Sequence, residues 1–289
     1  MAILNMTPKI SPPQDSEPSG NEALSAEARD FYCRAMTTLE EERLPFLVGG
    51  AYAYARYTGV VRHTKDFDIF VRPRDYDRTL EIFEKMGLKT EHSFAHWLGK
   101  GYLGEHFVDV IFSSGNGVAR VDDLWFEHAV DEEVLGIPSK LIPVEEMIWS
   151  KSFIMERERY DGADVAHLLL HCAESIDWQR LLYRFGANGD WRVLLSHLTL
   201  FGYVYPGEVQ RIPQTVMEDL IERLRRGQSE EPVENHLCRG TILSRSQYLI
   251  DIEKGGLKDA RLRPVGHMSA EEIEVWTESA KIDGPDARK

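Results

Sequence analysis

Residues 47–71 of the chain read LVGGAYAYARYTGVVRHTKDFDIFV, and Asp66 and Asp68 stand near the end of that run, inside an otherwise apolar strand-like segment. In a strand, positions i and i+2 project from one face, so the two carboxylates point the same way while Phe67 and Ile69 point to the other. Carboxylates side by side repel each other, and they are costly to desolvate unless a cation sits between them. A third aspartate, Asp109, is embedded in a second apolar run, HFVDVIF. Laid on an adjacent strand with its side chain toward the first two, it completes a three-carboxylate cluster. Such a cluster suits two Mg²⁺ ions, one activating an attacking hydroxyl and one holding a triphosphate and its leaving group. A D-x-D on its own is more often a solvated strand end, so the residues around it have to carry the distinction.

Gly49 and Gly50 close a strand and open a helix, a place where missing β-carbons let backbone amides approach phosphates. Arg62 and Thr64, just upstream of the aspartates, supply a candidate phosphate contact and a hydroxyl near a metal. Read blandly, the glycine pair is a turn and the other two are polar loop residues.

Helical spacing runs from Ser25, a plausible N-cap, through Phe31, Ala35, Met36 and Leu39, with Pro45 as the stop. A short strand at PFLVGG, a helix from Ala51 to about Tyr57 and the strand DFDIFVR follow. The next helix has Pro73 near its start and Gly87 as its stop. LKTEHSFAHWLGKGYLGEHFVDVIFSS reads as two or three strands joined by glycine turns, and VLGIPSKLIPV as one more. After Pro143 the pattern is helical: PVEEMIWSKSFIMERERY is read as one helix, with Glu145 and Glu146 as first-turn acids suited to the helix dipole. Four more helices follow before residue 228. TILSRSQYLIDI reads as a strand and SAEEIEVWTESA as a short helix. The expected fold class is α+β (mixed α/β), a sheet with flanking helices followed by a helical half. The expected divisions are a Pro- and Ser-rich disordered leader at 1–22, a sheet-containing domain at 23–142, a helical domain at 143–227 and a charged tail at 228–289, partly ordered at most.

The 289 residues carry a formal charge of −14, which argues against whole-surface nucleic-acid binding while leaving room for a local basic groove or an Mg²⁺-bound nucleotide. Cys33, Cys172 and Cys238 lie far apart with no CxxC pair and read as reduced thiols. No apolar run approaches a membrane span, so the expectation is a cytoplasmic protein with no membrane partner. Trp97 and Tyr102, near Asp109, read as core residues or as a stacking surface for a base. His167 and His171, four apart on one predicted helix, lack the neighbouring glutamate of a zinc motif and are assigned to packing or surface.

The segment LVGGAYAYARYTGVVRHTKDFDIFV resembles the signature of the polymerase-β-like nucleotidyltransferase superfamily, in which a Gly-Gly or Gly-Ser pair and a helix precede a strand with D-x-D. The form R-x-T-x-D-x-D resembles in particular the minimal nucleotidyltransferases of the AbiEii toxin-like group, and IPVEEMIWSKSFIMERERYDGADVAHLL is similar to the helix that follows in that group. The resemblance covers roughly residues 44–170. It implies a catalytic domain over 23–142, with Asp66 and Asp68 as the metal-binding pair and Asp109 as the third carboxylate. It implies further that Gly49 and Gly50 lie beneath the triphosphate and that Lys151 touches nucleotide phosphates. Gly50 stands where the wider superfamily carries serine, and the group's KDxxD segment is matched here to GADVAH, with Gly162, Asp164 and His167. The implied activity is Mg²⁺-dependent transfer of a nucleoside monophosphate from an NTP, such as ATP, to a hydroxyl or phosphate acceptor (an RNA end, a protein or a small molecule) with release of pyrophosphate. A toxin-like member would also have an antitoxin-like partner. The alternative is a catalytically silent nucleotide-binding or protein-interaction module on the same fold.

Overall fold

A computed structural model of the chain describes residues 24–61, 66–186, 190–229 and 236–283. The expected leader at 1–22 and the candidate residues Arg62 and Thr64 lie outside the described residues.

Helix α1 (Ala26–Glu41) starts at Ser25, whose hydroxyl accepts the Ala28 amide at 3.1 Å, and buries Phe31, Tyr32, Ala35, Met36 and Leu39 along one stripe. Strand β1 (Leu47–Val48) leads through Gly49 into α2 (Gly50–Thr58), and β2 (Asp66–Phe70) carries the aspartate pair. Helix α3 (Pro73–Lys85) ends before Gly87, whose φ of 83° takes the chain out of the helix. Three strands follow, β3 (Lys89–Phe94), β4 (Leu98–Leu103) and β5 (His106–Ile111), then the short α4 (Asp123–Glu127).

The stretch read as a single strand before Pro143 holds one, β7 (Ile137–Leu141), and begins at the last residue of β6 (Val130–Val134), its partner in a hairpin. Its turn residues Leu135 and Gly136 both have positive φ, 55° and 87°. That geometry is usual for a two-residue hairpin, but Leu-Gly lacks the Asn-Gly chemistry that announces one.

The seven strands form one mixed sheet in the order β3-β4-β5-β2-β1-β7-β6. Beyond it come α5 (Val144–Ser152), α6 (Gly162–Cys172), α7 (Trp178–Gly186), α8 (Trp191–Val204) and α9 (Gln214–Ser229). The helix expected to run through residue 160 stops at Ser152. Met155 instead donates its amide to Leu243 O at 3.1 Å and bridges to Tyr160, a long-range pairing with no local sequence signal. Glu145 and Glu146 lie in the first turn of α5, as expected, and are buried there: Glu146 has no exposed surface and accepts from Arg180 at 2.7 Å and from Arg184 at 2.9 Å, pinning α5 to α7.

Within the stretch read as a charged tail, residues 236–283 hold β8 (Leu237–Cys238), α10 (Gly240–Leu243), α11 (Leu249–Glu253), β9 (Lys258–Asp259) and α12 (Ala270–Asp283). The segment TILSRSQYLIDI, read as a strand, contains α10 and α11 instead. Its alternation is interrupted by Ser244, whose hydroxyl reaches Glu156 at 2.6 Å. The three cysteines are free thiols, and among the described residues no helix is long and apolar enough to cross a membrane.

The alternation in β2 sorts its two faces as the spacing predicts. Phe67 and Ile69 are buried, and the Phe67 ring stacks on Tyr32 of α1 at 4.8 Å. Asp66, Asp68 and Phe70 face the other way and stay partly accessible, opening onto a cleft.

Candidate active site

Strands β2 and β5 run parallel and in register, with Asp68 opposite Asp109, so side chains at the paired positions share a face. Asp66, Asp68 and Asp109 therefore line one cleft of about 530 Å³, together with Gly50 and Lys151. The sheet brings together the three carboxylates that the sequence placed some forty residues apart.

The Gly49–Gly50 turn sits against this pair by necessity. Gly49 donates its amide to Asp68 O at 3.0 Å, continuing the antiparallel ladder between β1 and β2. A β-carbon on Gly49 would lie 2.2 Å from the Phe70 ring, and one on Gly50 would lie 1.7 Å from Asp68 Oδ2. Gly50 also has a φ of 53°. Only glycine tolerates both demands, and the absent serine hydroxyl at this position has a steric reason here.

Burial pushes the Asp68 carboxyl up to about 7, reinforced by the negative charges of Asp109 and Asp66 and opposed by Lys151 and Arg159. Burial also raises Asp109, against the pull of Lys100, whose amine lies 2.8 Å from Asp109 Oδ1 across the β4–β5 pairing. Lys100 is a site residue that sequence reasoning missed. Its signal is its register opposite Asp109, which only the strand pairing reveals.

Lys151 reaches the cleft, but its amine is already engaged. It donates to Asp161 at 2.9 Å and to Asp164 at 2.7 Å, which occupies two of an ammonium's three donors. Asp161 also accepts two bonds from Arg159, both at 2.9 Å. Burial alone would raise Asp161, yet the bonds from Arg159 together with Lys151 hold it below the usual carboxylate range. Arg159 is pushed up by the Asp161 bond despite its own desolvation. Asp161 and Asp164 are site residues that the sequence motifs do not single out. The discernible signal was their i, i+3 spacing at the start of α6, which puts both on one face.

Other expectations sort themselves by position. His167 Nδ1 and the Tyr54 hydroxyl are 2.8 Å apart, a packing contact between α6 and α2. Tyr102 pairs with Phe107, 5.7 Å between ring centroids. Trp97 lies on the cleft wall. Among the described residues no three His, Cys, Asp or Glu side chains form a ready-made metal cage. The cleft carboxylates are nonetheless all hard oxygen donors, and Mg²⁺ commonly binds through one or two carboxylates with substrate phosphates and waters completing the shell. The charge repulsion felt by Asp68 is what a cation would relieve.

A larger cavity of about 1160 Å³ opens on the far side of Asn116 and Ile242. Its arginines are largely matched by acids, Arg184 by Asp122, Arg74 by Asp123, Arg239 by Asp190 and Arg223 by Asp219. It has no converging like charges comparable to those on β2 and β5.

The sequence matches no protein-family model, and no curated protein matches it significantly. Solved structures of similar outline include nucleotidyltransferases. The antibiotic-resistance factor ANT(2'')-Ia in solution is 16% identical, covering 59% of this chain and 96% of its own, with a TM-score of 0.40. The lincosamide antibiotic adenylyltransferase LnuA, lincomycin-bound, is 15% identical over 50% of this chain and 98% of its own, at 0.36. An antigenic nucleotidyltransferase-like protein from Paracoccidioides brasiliensis is 14% identical over 65% of this chain and 93% of its own, at 0.42. Overlap of this degree decides nothing about activity. The residues of the cleft have to do so.

Proposed function

We propose that this cleft is the active site of an Mg²⁺-dependent nucleotidyltransferase, which moves a nucleoside monophosphate from an NTP to a hydroxyl or phosphate oxygen of an acceptor. The observation that carries the reading is the in-register pair Asp68 and Asp109, with Asp66 on the same face and the Gly49–Gly50 turn against Asp68. Desolvation and the charges of Asp109 and Asp66 both burden the Asp68 carboxylate on this partly buried sheet face, and a cation bound there would offset both.

Asp66, Asp68 and Asp109 would hold the metal. Bound there, Mg²⁺ supplies Lewis-acid activation of the acceptor oxygen and neutralises charge on the triphosphate. The chain's own groups do the rest. The glycine turn at the N-terminus of α2 leaves room for phosphate oxygens close to backbone amides. Asp109, kept near Lys100, receives the acceptor's proton as the new O–P bond forms at the α-phosphorus. The bond from that phosphorus to the bridging oxygen breaks, and its electron pair leaves with pyrophosphate. Lys151, fixed by Asp161 and Asp164, directs its remaining donor to a phosphate oxygen.

The test is thermal stability with each NTP, with and without Mg²⁺, for the wild type and Asp68→Ala. A rise that needs both Mg²⁺ and NTP and vanishes in the variant supports the reading, and labelled nucleotide then identifies the acceptor among RNA, protein and small molecules. No shift with any NTP, in a variant and wild type that are both folded, overturns it in favour of a protein-interaction module, and a shift without transfer of label to any acceptor overturns it in favour of a silent nucleotide-binding one.

A further inference from the structure

We propose that Trp276 of α12 and Trp97 at the head of β4 form the platform that receives the base of the nucleotide, so that the C-terminal segment contributes to nucleotide binding. The inference rests on the reading of the cleft as a triphosphate site and goes beyond it to the nucleoside.

Position along the sheet is the first argument. The paired positions on β2 and β5 advance from Asp68 and Asp109 to Phe70 and Ile111, and Phe112 then donates its amide to Trp97 O at 3.0 Å. At the rise of a strand this places Trp97 about 10 Å from the carboxylate level. That is the order of distance separating a nucleotide's α-phosphate from the far edge of its base.

The second argument is how the platform is built. Trp276 meets Trp97 edge-to-face, 5.5 Å between centroids at 73°, and Phe94 at 5.1 Å and 87°. The Arg245 guanidinium lies 4.6 Å from the Trp276 ring centroid. Arg245 is itself held by Glu156 at 3.0 Å and Ser279 at 3.0 Å. The Trp276 indole packs so closely on Gly115 that a β-carbon there would lie 2.5 Å from Cζ2. The ring is thus pre-positioned, yet both indoles remain partly accessible on the cleft wall, whereas Trp125 is fully buried. Rigid, part-exposed indoles in a concave site are stacking surfaces for bases.

The test is calorimetric titration of the full chain with each Mg·NTP and with Mg·tripolyphosphate, which has the phosphates and no base. The wild type is expected to bind at least one NTP more tightly than tripolyphosphate. Trp276→Leu should weaken that NTP roughly tenfold, the scale of one stacked base, and leave tripolyphosphate unchanged. Trp276→Phe should recover part of the loss. Gly115→Ala, which displaces the indole without deleting it, should reproduce the leucine result if the leucine variant does not fold. Equal weakening of NTP and tripolyphosphate, or of neither, overturns the platform. Tripolyphosphate binding as tightly as every NTP in the wild type also overturns it while leaving the triphosphate site standing. Binding of neither ligand overturns both readings.

Discussion

Gly50 and Asp68 meet so closely that the glycine's missing β-carbon is what leaves room for the carboxylate, since that carbon would stand 1.7 Å from Asp68 Oδ2. Gly50→Ala is therefore expected to displace Asp68 and strain a left-handed backbone position at once. Gly59, with a φ of 71° and open space around it, is the matched control. Gly59→Ala should cost only about 1 kcal/mol and leave Mg·NTP binding intact. Gly50→Ala should lose that binding. Equal behaviour of the two variants in melting and titration would remove the steric coupling between turn and site.

The Asp68 carboxyl is raised to about 7 by burial and by its acidic neighbours, against an unfolded value near 3.9. Between those limits the folded protein holds a proton that the unfolded chain releases. The contribution of this carboxyl to the stability of the metal-free protein should therefore be full at low pH and be lost as pH rises from about 4 through about 7, while His96 and His197, whose imidazolium forms are disfavoured by burial, act in the opposite direction. Asp68→Asn should flatten that part of the profile. Mg²⁺ added at pH 8 should raise the melting temperature of the wild type and not of the variant. Melting curves in chelator across pH 5–8 read the first effect, and curves at pH 8 with Mg²⁺ in place of the chelator read the second.

Lys151 is held by two buried carboxylates, its side chain 16% exposed and those of Asp161 and Asp164 at 8% and 6%. Removing the amine leaves these acids without their shared cation, so Lys151→Met should cost about 3 kcal/mol or more. Asp164→Asn added to that variant should recover part of the loss. A single variant melting with the wild type would show that the amine has no structural duty and serves phosphate alone.

Glu146 has no exposed surface and joins α5 to α7 through Arg180 and Arg184. Glu146→Leu should destabilise the fold by about 3–5 kcal/mol, because two arginines lose a buried partner. Since α5 carries Lys151, nucleotide binding should weaken as well. Denaturant titration reads the first effect, and calorimetric titration with Mg·NTP, at a temperature where the variant is folded, reads the second.

Period-two alternation is a local property of the chain, so the shared face of Asp66 and Asp68 and the burial of Phe67 and Ile69 were legible from the sequence. The stop at Gly87, the N-cap at Ser25 and the glycine pair before α2 were legible for the same reason, since each is a matter of neighbouring residues and allowed backbone angles. Register is not local. That Asp109 stands opposite Asp68, and Lys100 opposite Asp109, follows from how separate strands pair across the whole sheet. The end of α5 at Ser152, the capture of Lys151 by Asp161 and Asp164, and the arrival of Trp276 from α12 at the cleft depend on contacts between distant segments. No spacing rule encodes them, because the energy that selects them exists only once the segments are packed together.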